Sequence, residues 1–585
     1  MIQMELYNLG GVLPQVSRQG GTVDRPWIWP SMEAAAAAEG LSRAHGMPRA
    51  VAWALARRGC ASASLGEFLN PRLDRLADPS GMVDMDRAVD RVTRAIDDGE
   101  TLFVHGDYDV DGITGTAFLV RTLRSLKANV VPFIPSREDG YGLGEPGLMA
   151  ARASGARLVI TVDTGVRAFA AIDRAGELGL DVVVLDHHEP AERMPNAVAV
   201  VNPMRGEPDS PFRGLSAVGV AAKFMHALAL ARPSVPLRNA YRDALQLVAL
   251  GTIADMVPLT GENRILVRHG LSRLSRSEWP GVRALRALAG IQRERLSADD
   301  VAFFIAPRLN AAGRMGNAED ALRLLLADDP LEAYRLAESM EKMNRDRRKL
   351  EAAMTAEALE AVRMLGEVPP VLVLWSEAWT RGLIGVVASR LLDRYGRPVF
   401  MIALDGNSGR GSARSVPGFA LPEALCACDD LLLEHGGHAE AAGFSIAREH
   451  LEAFRARLID RARAMSTTER ARPLEIDARV ELGEMNLECL SWLDRLSPFG
   501  RGNPEPLFGL EGGLLVEPPS VVGKHHLRLT IGQGTHRLRA IAFRLGNRIG
   551  ELDRGQKVDL AFHAAKDGWR GRDAVELVIR DLRPR

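Results

Sequence analysis

Short apolar strands that alternate with helices restrict the fold of this chain more than any other feature of its sequence. The clearest strands are expected at residues 102–105, 158–162 and 181–185, and helices at residues 117–126 and 168–178 separate them. Strands that are apolar along their whole length are buried on both faces, and a helix between two of them makes the pair parallel. The sequence therefore predicts an α/β fold with a doubly wound parallel sheet.

Acidic residues and histidines follow each of these three strands. The first strand ends in HGDYDVDG (residues 105–112), the second in VDTG (162–165) and the third in DHHE (186–189). A further acid, Asp255, follows an apolar segment. In open α/β sheets, ligands bind at the carboxyl ends of the strands, so we expect these groups to converge on one edge of the sheet.

A gathering of carboxylates predicts a metal site, because the charges repel one another unless a cation neutralises them. Oxygen ligands with one or two imidazoles favour Mn²⁺ or Mg²⁺ and leave Zn²⁺ and Fe²⁺ open, whereas only 4 cysteines argue against a thiolate site. A carboxylate bridging two ions about 3.5–4 Å apart would form a two-metal centre for phosphoryl chemistry. An acidic, solvated turn is the alternative for the first motif taken alone.

The rest of the chain divides into further segments. A long helix is expected to begin after Asp329 and to end before Pro369, and short strands from residue 521 onward suggest a small β-barrel. The expected segments are an N-terminal region (1–90), a catalytic domain (91–330), a connecting helix (331–366), a second α/β domain (367–465) and a barrel domain (466–585).

The motifs resemble those of a known superfamily. HGDYDVDG, VDTG, DHH and Asp255 together resemble the four motifs of the DHH phosphoesterases, and PRLNAAGR (307–314) with IPSR (134–137) narrows the resemblance to the RecJ-type single-strand-specific exonucleases. GLIGVVASR (382–390), GSARS (411–415) and GGH (436–438) are similar to the DHHA1 domain of that family, and the C-terminal segment is similar to its OB-fold.

The resemblance implies a role for individual residues. The metal ligands it implies, with Asp163 as the bridge, are Asp109, Asp111, Asp163, His187 and Asp255, and the spacing found in related pyrophosphatases adds His105. Asp107 and Asp186 are expected to orient these ligands through hydrogen bonds, and His188 to face the scissile phosphate. The residues expected to bind substrate phosphate are Arg137, Arg308, Asn310, Arg314, Ser412, Arg414, Gly436, Gly437 and His438.

The function implied by the resemblance is metal-dependent 5′→3′ degradation of single-stranded DNA to mononucleotides, in DNA repair and recombination. A monomer that works beside a helicase and a single-strand-binding protein is the corresponding expectation for partners. Two alternatives remain: a DHH enzyme that acts on dinucleotides or other small substrates, and a nuclease-dead scaffold. The additional C-terminal domain argues against the first alternative, and the complete set of motif acids argues against the second.

The charge balance limits how DNA is bound. Lys and Arg total 74 against 75 Asp and Glu, which excludes a uniformly basic surface, but residues 520–585 contain 14 basic and 7 acidic residues. We therefore expect the barrel domain to supply a local basic surface. The N-terminus carries no recognisable signal peptide and no run of apolar residues is long enough to span a membrane, so a cytoplasmic protein is expected.

Overall fold

The computed structural model describes residues 26–60, 62–136, 140, 142–464, 473–523, 525–567 and 574–585. These residues form two compact units. The first contains residues 29–341 and 475–585, and the second contains residues 26–28 and 342–474. In the described residues, no helix is both long enough and apolar enough to cross a membrane.

The N-terminal part is helical and is not a separate domain. Its elements are β1 (Trp27–Ile28), α1 (Glu33–His45), α2 (Arg49–Arg57), α3 (Ser62–Leu69) and α4 (Met85–Asp97). Ala38, Val51 and Leu65 from α1–α3 share one hydrophobic core with Phe508 and Leu560 of the C-terminal barrel. The boundary expected at residue 90 is wrong, because it falls inside α4, which packs against the catalytic domain.

A parallel sheet lies at the centre of the catalytic domain, as predicted. Its strands are β2 (Thr101–Gly106), β3 (Asn129–Phe133), β4 (Leu158–Val162), β5 (Asp181–Leu185) and β6 (Ala199–Val201), in the order β3-β2-β4-β5-β6. The intervening helices are α5 (Val110–Arg124), α6 (Glu145–Ala153) and α7 (Phe169–Glu177). The edge strands β3 and β6 were not expected from the sequence, and β3 contains Pro132, which is tolerated at a sheet edge.

Helix α5 begins seven residues earlier than the sequence suggested. The Asp109 Oδ1 atom accepts hydrogen bonds from the backbone N–H groups of Asp111 (2.8 Å) and Gly112 (3.2 Å), so that Asp109 caps the helix. An aspartate in this position satisfies backbone donors that the first helical turn leaves open. The acidic motif is therefore a strand-to-helix junction whose geometry is fixed by its own side chains.

Helices complete the catalytic domain. They are α8 (Ala217–Ala231), α9 (Val235–Ala254), α10 (Gly261–Ser275), α11 (Pro280–Leu288), α12 (Ala306–Met315) and α13 (Ala318–Leu326). Helix α9 packs against α5, α8 and α10, and the chain places Asp255 directly at its C-terminus. This packing fixes the position of Asp255 relative to the edge of the sheet.

The long helix α14 (Pro330–Met364) leads from the first unit into the second. Its limits are within two residues of the expected connecting helix, and Asp329 accepts hydrogen bonds from the N–H groups of Leu331 and Glu332 at its start. The second unit then contains a five-stranded sheet and three helices: β7 (Leu372–Ser376), α15 (Ile384–Tyr395), β8 (Val399–Asp405), β9 (Ser408–Arg414), α16 (Leu421–Cys426), β10 (Leu432–Gly437), β11 (Ala441–Ala447) and α17 (Leu451–Ala464).

The C-terminal domain is a closed β-barrel with one helix. Its elements are β12 (Leu474–Glu475), β13 (Ala478–Arg479), α18 (Leu487–Leu496), β14 (Phe508–Leu515), β15 (Ser520–Val522), β16 (His526–Gln533), β17 (His536–Ala542), β18 (Lys557–Lys566) and β19 (Val575–Pro584). The order β14-β18-β19-β17-β16 closes because β16 also pairs with β14. Five strands in a closed barrel are the OB-fold arrangement that the sequence led us to expect.

A buried ion pair links the N-terminal segment to α8 and α10. The Lys223 Nζ atom lies 2.9 Å from Glu262 Oε2 and donates to the carbonyl of Ala77 (2.6 Å), while the Ala77 N–H donates to Glu262 Oε1 (2.6 Å). Lys223 is completely buried. This burial lowers its pKa, whereas the charge of Glu262 acts to raise it. The two charges therefore stabilise the fold only as a pair.

Glu262→Gln is expected to lower the free energy of unfolding by about 3–5 kcal/mol, since it leaves a buried lysine without a counter-charge. The matched control is Asp243→Asn, which removes an acid 3.2 Å from Arg273 in a pair whose side chains are about half exposed. We expect a change below about 1 kcal/mol there. Urea unfolding followed by circular dichroism measures both, and equal effects would contradict the account.

Candidate active site

The predicted metal ligands converge at the carboxyl ends of the strands. Potential ligand atoms lie within 4.8 Å of one another in three groups: Asp107, Asp109 and Asp163; Asp163, His187 and His188; and Asp111, His187 and Asp255. Asp163 and His187 each belong to two groups. The arrangement therefore offers more than one position for a cation, with Asp163 between two of them.

Asp163 is a buried carboxylate with an unusual backbone conformation. It is 2% exposed, and its backbone adopts the left-handed conformation with φ of 64°. Burial raises its pKa well above the usual value, and the charges of Asp109, Asp111, Asp107 and Asp255 raise it further. A carboxylate in this position is favourable in its charged form only when positive charge lies beside it.

His187 presents a nitrogen to three carboxylates. Its Nε2 atom lies 3.2 Å from Asp163 Oδ1, 3.7 Å from Asp255 Oδ2 and 3.9 Å from Asp111 Oδ2. Burial lowers the pKa of His187 to about 4, assisted by the neighbouring His188, and the ring hydrogen-bonds to the backbone of Leu215. A neutral imidazole held in this way directs a lone pair at the acids, as a metal ligand does.

Asp111 is held by the start of a helix. Its Oδ2 and Oδ1 atoms accept hydrogen bonds from the first N–H groups of α8, at Ala217 (2.6 Å) and Val218 (3.0 Å). Burial and the charge of Asp109 nevertheless raise the pKa of Asp111 to about 7. The helix N-terminus offsets only part of the repulsion within the cluster.

His188 and Asp186 form a pair beside the cluster. The His188 Nδ1 atom lies 2.8 Å from Asp186 Oδ1, which also accepts from the backbone N–H groups of His187 and His188. Although burial opposes its charge, the bond to Asp186 and the nearby carboxylates raise the pKa of His188 to about 9. Burial also opposes ionisation of Asp186, but its hydrogen bonds and the charge of His188 hold the pKa of this carboxyl below the usual value. Asp186 thus orients the ring of His188.

Two acidic-motif residues differ from their expected roles. Asp107, expected to orient other groups, contributes its own carboxylate to a potential metal group. His105, expected as a ligand, is in none of the three groups; its ring is buried 5.2 Å from Phe133, and burial lowers its pKa to about 4. The cause is the strand register, because His105 still lies within β2 whereas the acids follow the strand.

The donor set suits a hard divalent cation. It consists of carboxylate oxygens and a neutral imidazole, and within the described part of the chain the buried Oδ2 atom of Asp255 has no hydrogen-bond partner. Oxygen-rich groups of this kind favour Mn²⁺ and Mg²⁺ over softer ions. The residues that would hold the ions are Asp107, Asp109, Asp111, Asp163, His187 and Asp255.

The PRLNAAGR segment forms α12 and lies against the acidic motif. A Cβ atom on Gly313 would lie 2.3 Å from the carbonyl oxygen of Tyr108, so a glycine is needed for this contact. Asn310 and Arg314 lie on the same helix. The Arg308 side chain is buried: its Nε atom is 2.6 Å from Glu341 Oε2, and its other nitrogens donate to the carbonyls of Phe304 and Leu288. Arg137 lies outside the described residues.

The remaining predicted phosphate-binding residues lie in the second unit. Ser412 and Arg414 occupy alternate positions on β9, and β11 pairs Gly443 with Ser412 and Ala441 with Arg414. Gly436 and Gly437 end β10, and the N–H of His438 donates to the Ala441 carbonyl (2.8 Å). The expected residues therefore meet at the same end of neighbouring strands.

The Arg414 guanidinium lies against the start of α15. Its Nη1 atom donates to Ser412 Oγ (3.1 Å) and to the Ala413 carbonyl (2.8 Å), and burial lowers its pKa with no acid contributing. A Cβ atom on Gly385 would lie 2.9 Å from Arg414 Nη2 and 3.0 Å from Ser412 Oγ. The sequence motif containing Gly385 was recognised, but only the structure shows that a larger residue there would displace the Arg414 side chain.

The chain matches three protein families over most of its length. Residues 101–252 match the DHH family, N-terminal domain; residues 369–464 match the DHHA1 domain; and residues 476–581 match the RecJ OB domain. These matches coincide with the catalytic domain, the second unit and the barrel.

Relatives and solved structures agree with these matches. The chain is 36% identical over 537 residues to the single-stranded-DNA-specific exonuclease RecJ of Bacillus subtilis, covering 91% of this chain and 67% of that protein. It is 34% identical over 528 residues to the protein of the same name from Escherichia coli, covering 86% and 90%. The crystal structure of RecJ with Mn²⁺ from Thermus thermophilus is similar with a TM-score of 0.81 at 34% identity, covering 96% of this chain and 80% of that one. The corresponding structure with Mg²⁺ has a TM-score of 0.76 at 33% identity, covering 95% and 78%.

Asp163→Asn is expected to stabilise the protein in the presence of a chelator by about 1 kcal/mol or more, because it removes one buried charge from the acid cluster. Asparagine is the appropriate substitution, since it tolerates the left-handed backbone at this position. Addition of Mn²⁺ should raise the thermal-unfolding midpoint of the unsubstituted protein but not that of the variant.

The control for this substitution is Asp173→Asn, which removes an exposed acid on α7. It should leave both the chelated midpoint and the Mn²⁺-dependent increase unchanged. A variant at Asp163 that is destabilised in chelator, or that keeps the full response to Mn²⁺, would contradict the assignment of the cluster.

Proposed function

The chain belongs to the RecJ family of single-stranded-DNA-specific exonucleases, and we propose that its acid and histidine cluster is the centre at which the phosphodiester bond is hydrolysed. The protein is a metal-dependent exonuclease of single-stranded DNA, with Mn²⁺ or Mg²⁺ as its cofactor. The observation that carries the proposal is the convergence of five aspartates and His187 within overlapping potential metal groups.

The ions and the neighbouring residues have separate tasks in this proposal. When two divalent ions are bound, they supply positive charge to the phosphate oxygens and lower the pKa of a water molecule. Asp163 would contribute to both ion positions, since it belongs to two of the potential ligand groups. Asp111 and His187 are fixed by hydrogen bonds to the backbone of α8 and of Leu215, so the ligand set is pre-oriented.

His188 would act on the substrate directly. Its Nδ1 atom is held by Asp186, and the partly exposed ring would donate a hydrogen bond from its Nε2–H to an oxygen of the scissile phosphate. A protonated imidazole in this position would stabilise the charge that develops on the phosphate and can protonate the leaving oxygen. Asp186 is thus a positioning residue and His188 a catalytic one.

The second unit would bind the 5′ end of the strand. Ser412 and Arg414, together with the start of α15, form a cationic site, in which the Arg414 Nη1 atom donates to Ser412 Oγ. A terminal phosphate offers oxygens that match the planar donors of a guanidinium. Binding of a terminal 5′-phosphate is what we expect of an enzyme that degrades the strand in the 5′→3′ direction.

The barrel would guide the rest of the strand. Along β16, Arg528 and Thr530 alternate with the buried residues Leu527, Leu529 and Ile531, and Thr530 is paired with Arg539 of β17. Basic side chains on one outward face of the barrel match a single-stranded phosphate backbone. This face corresponds to the local basic surface expected from the composition of residues 520–585.

We further propose that the protein acts as a cytoplasmic monomer in DNA repair and recombination, beside a helicase and a single-strand-binding protein. A strand-specific exonuclease needs such partners because duplex DNA must first be separated. The proposal rests on the family resemblance.

Digestion of end-labelled substrates with Mn²⁺ or Mg²⁺ tests the function. A 5′-phosphorylated single strand should be converted to mononucleotides from its 5′ end, whereas a blunt duplex should remain intact. Faster turnover of a dinucleotide than of a long strand would favour the small-substrate alternative. No cleavage of any substrate would support the nuclease-dead alternative.

Arg414→Gln is expected to lower the preference for a 5′-phosphorylated strand over a 5′-hydroxyl strand by about tenfold or more, since hydrogen bonds to charged groups contribute about 1.5–3 kcal/mol. Gly385→Ala should reduce the same ratio, because the added methyl group displaces the Arg414 side chain. The measurement is kcat/KM for the two strands.

The matched control is Arg410→Gln. Arg410 is an exposed arginine on the same strand β9 and forms an ion pair with Glu434. Its substitution should leave the ratio unchanged. A ratio near one in the unsubstituted enzyme would show that this pocket does not bind a terminal phosphate.

A further inference from the structure

A tight turn between α18 and β14 lies beside the catalytic cluster. Gly500 and Asn503 form reciprocal backbone hydrogen bonds of 2.9 and 3.1 Å, which places Arg501 and Gly502 at the tip of the turn. Gly502 has a φ of 74°, a conformation that glycine adopts without strain. Arg501 is therefore the one long side chain at this tip.

Hydrogen bonds of the Asn503 side chain hold the turn in place. Asn503 is 2% exposed, and its Nδ2 group donates to the carbonyls of Leu496 (2.9 Å) and Pro498 (2.7 Å). Its Oδ1 atom accepts a hydrogen bond from Arg58 Nη1 (2.8 Å). Because these contacts involve Asn503, substitution of the Arg501 side chain would leave them intact.

The turn packs directly on the segment that follows Asp255. The backbone N–H of Leu259 donates to the Arg501 carbonyl (2.7 Å). A Cβ atom on Gly500 would lie 2.7 Å from Leu259 Cδ1, and one on Gly502 would lie 3.1 Å from Pro258 Cβ. The glycines on both sides of Arg501 thus allow the turn to approach closely the segment that follows Asp255.

The Arg501 side chain is exposed and available. Within the described ranges it forms neither a side-chain hydrogen bond nor an ion pair. The side chain is close enough to Asp255 for the two charges to interact. A guanidinium that lies near carboxylates without pairing with them can bind an anion that the same site attracts through metal ions. In an exonuclease that anion is the phosphate of the strand.

We propose that Arg501 binds a phosphate oxygen of the DNA strand at the linkage next to Asp255, and so acts as a substrate-binding residue contributed to the catalytic centre by the segment that leads into the barrel. This inference rests on the proposed exonuclease function. The role of the turn differs from that of the outward face of the barrel, because Arg501 would bind the strand at the site of cleavage.

The test compares the full-length enzyme with Arg501→Gln and Arg501→Lys, using a 5′-phosphorylated single strand and Mn²⁺. We expect Arg501→Gln to lower kcat/KM about tenfold or more through KM, and to reduce the slope of log KM against log salt concentration by about 0.7, the value for one phosphate contact on a single strand. Arg501→Lys should keep the slope and lose part of the affinity, because it keeps the charge but not the planar donors.

Arg152→Gln is the matched control, since Arg152 is an exposed arginine on α6. It should change neither KM nor the salt dependence. A second arm uses strands that carry one uncharged methylphosphonate linkage. At the linkage that Arg501 contacts, the neutral group should weaken binding by the unsubstituted enzyme and have a smaller effect on Arg501→Gln.

The outcomes separate the inference from the function on which it rests. An unsubstituted enzyme that leaves single strands intact would overturn the exonuclease function. If that enzyme is active and Arg501→Gln shows the same KM and salt slope, the inference is overturned. An unchanged KM with tighter Mn²⁺ binding in calorimetry would show that Arg501 only offsets the carboxylates.

Discussion

Electrostatic repulsion among buried carboxylates is the constraint on which the rest of the catalytic domain depends. Asp107, Asp111 and Asp163 are each no more than 2% exposed and lie within one cluster. Charges at such distances are stable in a protein interior only with compensation from backbone dipoles, hydrogen bonds and cations. The start of α8 supplies backbone dipoles and hydrogen bonds to Asp111. We assign Asp163 the central role toward the ions because it belongs to two of the three potential ligand groups.

The functional residues of the two units carry opposite charges. In the first, acids dominate the end of the sheet and raise one another's pKa values. In the second, Arg414 and Ser412 face the start of α15, and no acid influences the arginine. This separation explains how a chain with a net charge of -1 can act on DNA, since each phosphate meets a local charge and not the average of the molecule.

The sequence predicted the sheet and its functional edge well, because apolar strands followed by acids are a local pattern. The strands at residues 158–162 and 181–185 were predicted correctly. The predicted start of α5 lay too far along the chain, because the capping role of Asp109 is visible only in the hydrogen bonds. The contacts of Arg308 could not be predicted from the sequence either. Its partner Glu341 is 33 positions away in sequence and on another helix, so a motif cannot reveal that the guanidinium is already engaged. Arg501 escaped notice because its position depends on packing between segments more than 200 residues apart.

The acid and histidine cluster would hold two divalent ions, and Asp163 would contribute to both positions. Electron paramagnetic resonance of the protein titrated with Mn²⁺ tests it most directly, because two Mn²⁺ ions about 3.5–4 Å apart interact magnetically. We expect two ions per chain and a spin-coupled spectrum after the second equivalent. A six-line spectrum of isolated ions at saturation, or the binding of a single ion, would contradict the claim.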